Sequence, residues 1–432
     1  MESIWKNKRT IAFFDSLNGS KKTDVLVIGG GIAGILCAYK LKNAGIDCML
    51  VEAAQILEGI TKNTTAKITL GHGLMYDKMI KRFGVDKARL YAEAQIKAGK
   101  EYFELSKEID CDYEVKDSYV YSLSDRKRIE REVLALNRLG VKAELSNASE
   151  LPLAVAGAVR VKNQAQFQPL KFLYGVAKDL PIYEHTKVVE LMPHKAKTKS
   201  GEITYNKLIV ATHFPILNKH GLYPLKLYQH RSYVLALKEA QILDGMYVDE
   251  ADTGLSFRNY GELLLLGGGG HRTGKRGGCW QELEEFVKKH YKSSEIVGKW
   301  ATQDCITLDR VPYIGRYSKS TANLFVATGF NKWGMTSAMV ASDILCDLIQ
   351  EKQNPYTEVF SPLRTMLRPQ LAVNAFESVV GLLTPTAPRC PHLGCALKYN
   401  SAEHTWDCPC HGSRFTENGE LIDNPATDDK KV

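Results

Sequence analysis

The sequence predicts an α/β protein with three parts: a Rossmann-like parallel sheet, an α+β domain interleaved with it, and a small C-terminal segment. Three observations predict this. Near the N-terminus an apolar strand runs into a glycine turn, a helix and a second strand. Apolar strands return late in the chain, at 207–212 and 323–328, after a long mixed stretch. Four of the ten cysteines crowd into residues 390–410.

The first unit is the clearest. Residues 24–28 (DVLVI) end in GGGIAG at 29–34. Ile35, Leu36, Tyr39 and Leu41 then share one helical face, and residues 48–51 (CMLV) form the next strand, closed by Glu52. Strand, glycine turn, helix and strand make a βαβ unit with a parallel pair. Residues 55–75 are rich in Thr and Gly and read as an extended loop. Tyr91, Ala94, Ala98, Tyr102, Leu105 and Ile109 place an amphipathic helix over 86–109. Residues 188–192 and 207–212 read as strands returning to the first sheet, and 225–270 as strand-rich. A helix follows from about 336 to 350, then a proline-bearing connector with some helical character over 356–384.

Composition narrows the class. With 44% hydrophobic and 25% charged residues, the 432-residue chain has the makeup of a soluble globular protein of two domains, or one with an appendage. The net charge of +8 divides into about +11 before residue 390 and −3 after it. That balance points to no nucleic-acid partner. No apolar run approaches membrane-spanning length and no secretory signal is visible, so the expected location is cytoplasmic. Six cysteines are scattered and read as small core residues; the last four need a chemical explanation.

Gly29, Gly31 and Gly34 form G-x-G-x-x-G. In a βαβ unit these glycines give a tight turn, close approach to a pyrophosphate, and close helix–strand packing. The following helix aims its positive end at the anion. Glu52 lies 18 residues after Gly34, where a carboxylate accepts ribose hydroxyls.

The pattern alone does not separate FAD from NAD. Over about residues 20–350 the chain resembles the D-amino-acid-oxidase family, which includes glycine and sarcosine oxidases. The likeness is carried by DVLVIGGGIAG, KLIVAT at 207–212, DRVPYIG at 309–315 and NLFVATGFNKWGM at 323–335. The resemblance implies FAD, with flavin-binding segments at about 20–80, 183–215 and 305–350, and a substrate domain at about 85–180 and 220–300. It assigns Gly29, Gly31, Gly34, Glu52, Thr65, Val188, Gly329, Asn331, Gly334 and Met335 to the flavin. Where the family has A-T-G, this chain has Ala211-Thr212-His213; His213 either fills the turn or lies near the flavin. In TKNTTAKITLGHG at 61–73, Lys67 and His72 are the polar candidates for chemistry, and His72 also for covalent flavin attachment. Arg231 and Arg258 are candidates to fork onto a substrate carboxylate, and His271 is a further catalytic candidate.

The C-terminal motif is CPHLGC at 390–395 and CPCHGS at 408–413. It resembles a Rieske [2Fe–2S] site. The resemblance implies that Cys390 and Cys408 hold one iron, His392 and His411 the other, and that Cys395 and Cys410 form a disulfide. Neutral imidazoles in place of thiolates raise the potential. Structural zinc is the competing reading of such Cys/His sets. Ser413 matches a serine that bonds a cluster sulfur in high-potential members; Phe415 stands where those have a tyrosine, which implies a lower potential. The likeness covers about 385–426, within a segment 385–432 whose base strands are missing from the pattern; the oxidoreductase part spans 20–355.

Three functions fit: an FAD enzyme oxidising a small amine or amino acid and passing electrons to the cluster, the reverse flow, or an electron-transfer or sensing module without an organic substrate. The first implies a small-molecule substrate and an electron-transfer partner protein or small acceptor.

Overall fold

The computed structural model describes residues 2–5, 11, 13–385 and 388–430. Its first sheet has eight strands. Lys21–Ile28 lies at the centre, parallel to Cys48–Val51 on one side and to Glu202–Val210 on the other. Leu324–Thr328 continues the sheet in parallel, and Tyr313–Arg316 closes the edge in antiparallel sense. The strands are apolar because both faces are covered. Helix Ile32–Asn43, the long helix Val85–Ser106 and helix Gly334–Ile349 pack together in the principal core.

Val188–Met192 is a strand that returns to the first sheet, joined to it through a neighbour. It forms a hairpin with Lys195–Thr198, which pairs in turn with Glu202–Val210. The 55–75 loop contains a short 3₁₀ turn, Ile60–Asn63, and a two-residue strand, Lys67–Ile68. That strand joins the second sheet, nine strands in all, built mainly from Glu114–Ser122, Gly157–Gln166 and the 227–307 region. Within it, Leu227–Lys238 lies between Leu263–Arg272 and Glu295–Thr307.

A third sheet belongs to the C-terminal segment: Lys398–Asn400, Thr405–Asp407, Arg414–Thr416 and Leu421–Asp423, all antiparallel. Its strands lie between and after the two Cys/His loops, which is why no strand pattern shows before Cys390. Helix Pro369–Leu383 precedes them and presses Gly381 onto the disulfide. A Cβ at Gly381 would stand 2.4 Å from Cys410 Sγ.

The segment is docked on the body. The Arg231 guanidinium bonds Glu403 through Nε at 3.0 Å and through a second donor; Arg231 is buried and Glu403 largely so. Arg414 joins Glu403, Asp407 and Asp423 in the same network. Gln303 donates to the Gly412 carbonyl and Gln229 to that of Asn424. No helix among the described residues is long and apolar enough to cross a membrane.

Candidate functional site: a dinucleotide cavity beside a Cys/His pair of loops

A cavity of about 1030 Å³ opens between the first two sheets. Gly29, Gly31, Glu52, Thr65, Val188, Gly329, Asn331, Gly334 and Met335 all line it, with Lys67, His72 and His213. The strand–turn–helix geometry explains the glycines. Gly29 has φ +112°, and a Cβ there would lie 2.6 Å from the Ala211 carbonyl oxygen. Gly34 does not line the cavity. Its Cβ would stand 1.9 Å from the Gly29 carbonyl oxygen, so it sets how closely helix and strand pack. Glu52 accepts from the Gly30 amide at 2.7 Å and the Ala54 amide at 2.9 Å, which fixes its carboxylate at the end of the second strand. On the far side, Gly329 has φ +70° and presses against Thr307. Asn331 Oδ1 accepts from the Thr307 amide at 2.8 Å. The volume, the bare glycine turn and the anchored acid fit an extended dinucleotide.

The predicted catalytic residues divide. Lys67 faces the cavity. Burial, helped by Arg258, pushes its amine down to about 7, and Nζ donates to Thr65 Oγ1 at 3.0 Å. His72 is buried and stacked on Trp333 at 4.8 Å. Its Nε2 donates to the Thr69 carbonyl and its Nδ1 accepts from the Tyr91 hydroxyl.

Arg231, Arg258 and His271 do not line the cavity. Arg231 is consumed by Glu403 at the docking face. Arg258 is fully buried and donates to the carbonyls of Thr65, Ala66 and Asn259, so it clamps backbone. His271, on the glycine-rich strand Leu263–Arg272, bonds the Tyr233 hydroxyl at 3.0 Å and the Arg272 carbonyl. The two arginines expected to fork onto a substrate carboxylate are thus engaged by Glu403 and by backbone carbonyls instead.

The four expected cluster ligands come together. The thiols of Cys390 and Cys408 are buried and in hydrogen-bond contact. The rings of His392 and His411 stand 5.0 Å apart, nearly perpendicular. His392 Nε2 donates to Asn218 Oδ1 at 2.8 Å, and His411 bonds the Pro224 carbonyl. Both Nδ1 atoms are buried with no hydrogen-bond partner among the described residues. A buried imidazole nitrogen left bare is costly unless it meets an acceptor of its lone pair. With Nε2–H used outward, each Nδ1 offers that lone pair to a metal. Cys395 and Cys410 form a disulfide, so the close sulfur group Cys395, Cys408, Cys410 offers one thiol, not three. Ser413 is fully buried beside Cys390, and Phe415 is buried in the same small core.

A model of the FAD dependent oxidoreductase family matches residues 24–348. The chain belongs to that family. A Rieske [2Fe-2S] domain model matches residues 370–432. This FAD-dependent oxidoreductase therefore carries two redox groups, FAD in the first part and a [2Fe–2S] cluster in the second. A protein of Bacillus subtilis (strain 168) named for a Rieske 2Fe-2S iron-sulfur centre, YhfW, is 34% identical over 98% of this chain and 96% of its own. The gamma-glutamylputrescine oxidoreductase of Escherichia coli (strain K12) is 26% identical over 78% of this chain and 86% of its own. Among solved structures, the L-proline dehydrogenase of P. horikoshii superposes with a TM-score of 0.68 at 18% identity, over 81% of this chain and 98% of that one. The last likeness concerns the fold.

Sequence reading missed the residues that join the two sites. Ala211, Thr212 and His213 line the cavity. The next residue, Phe214, sets its ring 6.3 Å from that of His392 and 6.2 Å from that of His411. Asn424 donates to the carbonyls of Thr212 and Phe214, and His213 Nε2 meets Gln229 Oε1 at 3.0 Å. His213 has φ +62°, the left-handed turn that the family's glycine supplies. The departure from A-T-G was the only sequence signal.

Proposed function

We propose that the protein oxidises a small amine or amino acid with FAD and passes the electrons to its own [2Fe–2S] cluster, held by Cys390, His392, Cys408 and His411. The observation that carries this is the shared turn: residues 211–213 line the cavity and Phe214 meets both histidines. FAD supplies two-electron oxidation with single-electron release, which suits a cluster that takes one electron at a time. The chain's own residues do the rest. The glycine turn and Glu52 hold the dinucleotide. Asn424, Gln229 and Gln303 keep the cluster loops seated on the body. Lys67, uncharged above about pH 7, accepts a proton from the substrate amine. Electrons leave the cluster to a partner protein or small acceptor.

The relative of E. coli is named for an amine-bearing substrate, which supports an amine here. The test is an anaerobic panel of amines and amino acids, followed by flavin absorbance and by electron paramagnetic resonance of the cluster. A substrate that bleaches the flavin and brings up the cluster signal supports the reading. Flavin bleaching with a cluster that stays oxidised opposes it.

A further inference from the structure

One carboxylate in the cavity has no role in the account above. Asp304 lies on strand Glu295–Thr307, opposite His230 in the ladder with Leu227–Lys238, and lines the cavity. Ser232 and Thr302 face each other two positions along the same ladder and also line it. The neighbouring strand places Gly267, Gly268 and Gly270 there, which leaves this floor open. A Cβ on Gly270 would lie 2.8 Å from the His230 ring.

Among the described residues, no hydrogen bond or ion pair reaches the Asp304 carboxylate; Lys332, His213 and Arg231 act on it only through their charge. Lys332 donates instead to the Asp252 carbonyl at 2.8 Å. Burial without a donor pushes the Asp304 acid up. A partly buried carboxylate on the cavity wall with no donor is open to a cation that brings its own donors.

Two arginines that line the cavity already hold carboxylates, while Lys78 and Arg82 line it with no ion pair among the described residues. Arg310 pairs with Asp252 and Arg128 with Glu250. Lys67 is held down to about 7 by burial.

We propose that this floor selects a cationic amine, whose ammonium is received by Asp304 with the Ser232 and Thr302 hydroxyls as further acceptors, over a ligand recognised by its carboxylate. The inference rests on the reading of this cavity as the place where substrate meets FAD.

The experiment uses the holoprotein, oxidised and anaerobic, with butylamine, 1,4-diaminobutane and butyrate as probes, read by equilibrium dialysis and by perturbation of the flavin absorbance. The two amines bind saturably and compete with each other, and butyrate binds at least tenfold more weakly. Asp304→Asn weakens amine binding by about 10- to 100-fold, as expected for a lost charge-assisted bond, with FAD content unchanged; Asp304→Glu retains most of the affinity. Butyrate binding as tightly as butylamine overturns the proposal. So does the absence of saturable amine binding, or an Asp304→Asn protein with full affinity. The probe comparison on the unsubstituted protein stands even if a variant folds poorly. Binding is read without electron transfer, so an amine that binds but leaves the cluster oxidised contradicts the electron route and not this site.

Discussion

The ring of Phe214 meets that of His411 edge-on, 6.2 Å between centroids and 69° between planes, while the residue before it lines the dinucleotide cavity. One turn therefore touches both redox sites. Asn424 holds that turn, donating to the Phe214 carbonyl at 2.8 Å and to the Thr212 carbonyl as well. Asn424→Ala removes both bonds; the Phe214 carbonyl keeps the Thr212 hydroxyl as a donor, while the Thr212 carbonyl loses its own, a cost of about 1–3 kcal/mol. Electron passage from flavin to cluster slows, with both groups retained. Stopped-flow absorbance of the two groups after anaerobic reduction measures it. Unchanged passage would assign the contact to packing alone.

The docking network gives a second prediction. Arg231 is 3% exposed and pairs with Glu403, which is 9% exposed. Arg231→Ala leaves Glu403 buried with Arg414 as its remaining cation. Breaking a buried pair costs about 3–5 kcal/mol, and the second arginine keeps the loss near the lower end. Amide hydrogen exchange over the 398–423 sheet should quicken, while the Lys21–Ile28 strand keeps its protection. Equal protection in both regions would show that the segment docks without this pair.

Glu52 is held by the Gly30 and Ala54 amides at the end of its strand. Glu52→Gln keeps the size and loses the charge. With charge-assisted bonds to ribose weakened by about 1–3 kcal/mol, FAD affinity falls roughly 5- to 150-fold. Gly31→Ala, whose Cβ would stand 3.3 Å from Thr61 Oγ1, crowds the same turn and abolishes flavin retention. Flavin titration of the apoprotein separates these outcomes. Wild-type affinity in both variants would displace the binding site.

Much of this was legible because the signals are local. The βαβ glycines and the four cluster ligands sit at short, fixed spacings, so strand, helix and motif periods expose them. The joining residues are not local. Arg231 and Glu403 are 172 positions apart, and an arginine in a strand carries no mark of its partner. Asp304 alternates with Thr302 on one strand, but alternation alone does not say which face meets a cavity. Helix Pro369–Leu383 hides its direction for another reason. Asn374 points inward to Arg272 while Phe376 stands 67% exposed, so its apolar period does not mark the buried face.

Lys67 gives a pH dependence. Burial lowers its amine to about 7, so the group is protonated below that value and neutral above it. A base works only in the neutral form, so flavin bleaching by an amine rises as pH increases through about 7. Lys67→Met removes that limb and slows the bleaching by about 100-fold or more. The anaerobic rate against pH decides it. A Lys67→Met profile with the same inflection would place the base elsewhere.

Phe415 is buried in the small core with Cys390 and Cys408 and brings no donor to the cluster. Phe415→Tyr adds a hydroxyl there. A hydrogen bond to a cluster sulfur stabilises the reduced, more negative state, so the potential rises. Protein-film voltammetry reads the shift. A lowered potential would mean that the hydroxyl points away from the sulfurs.

Electron paramagnetic resonance of the protein reduced anaerobically by an amine substrate tests the two-site account most directly. The account predicts a rhombic Rieske-type signal that grows as the flavin absorbance bleaches, and its loss in Cys408→Ala with FAD still bound. A flavin fully bleached by amine beside a cluster that only dithionite reduces, or stoichiometric zinc without iron or labile sulfide after iron-replete anaerobic expression, would contradict it.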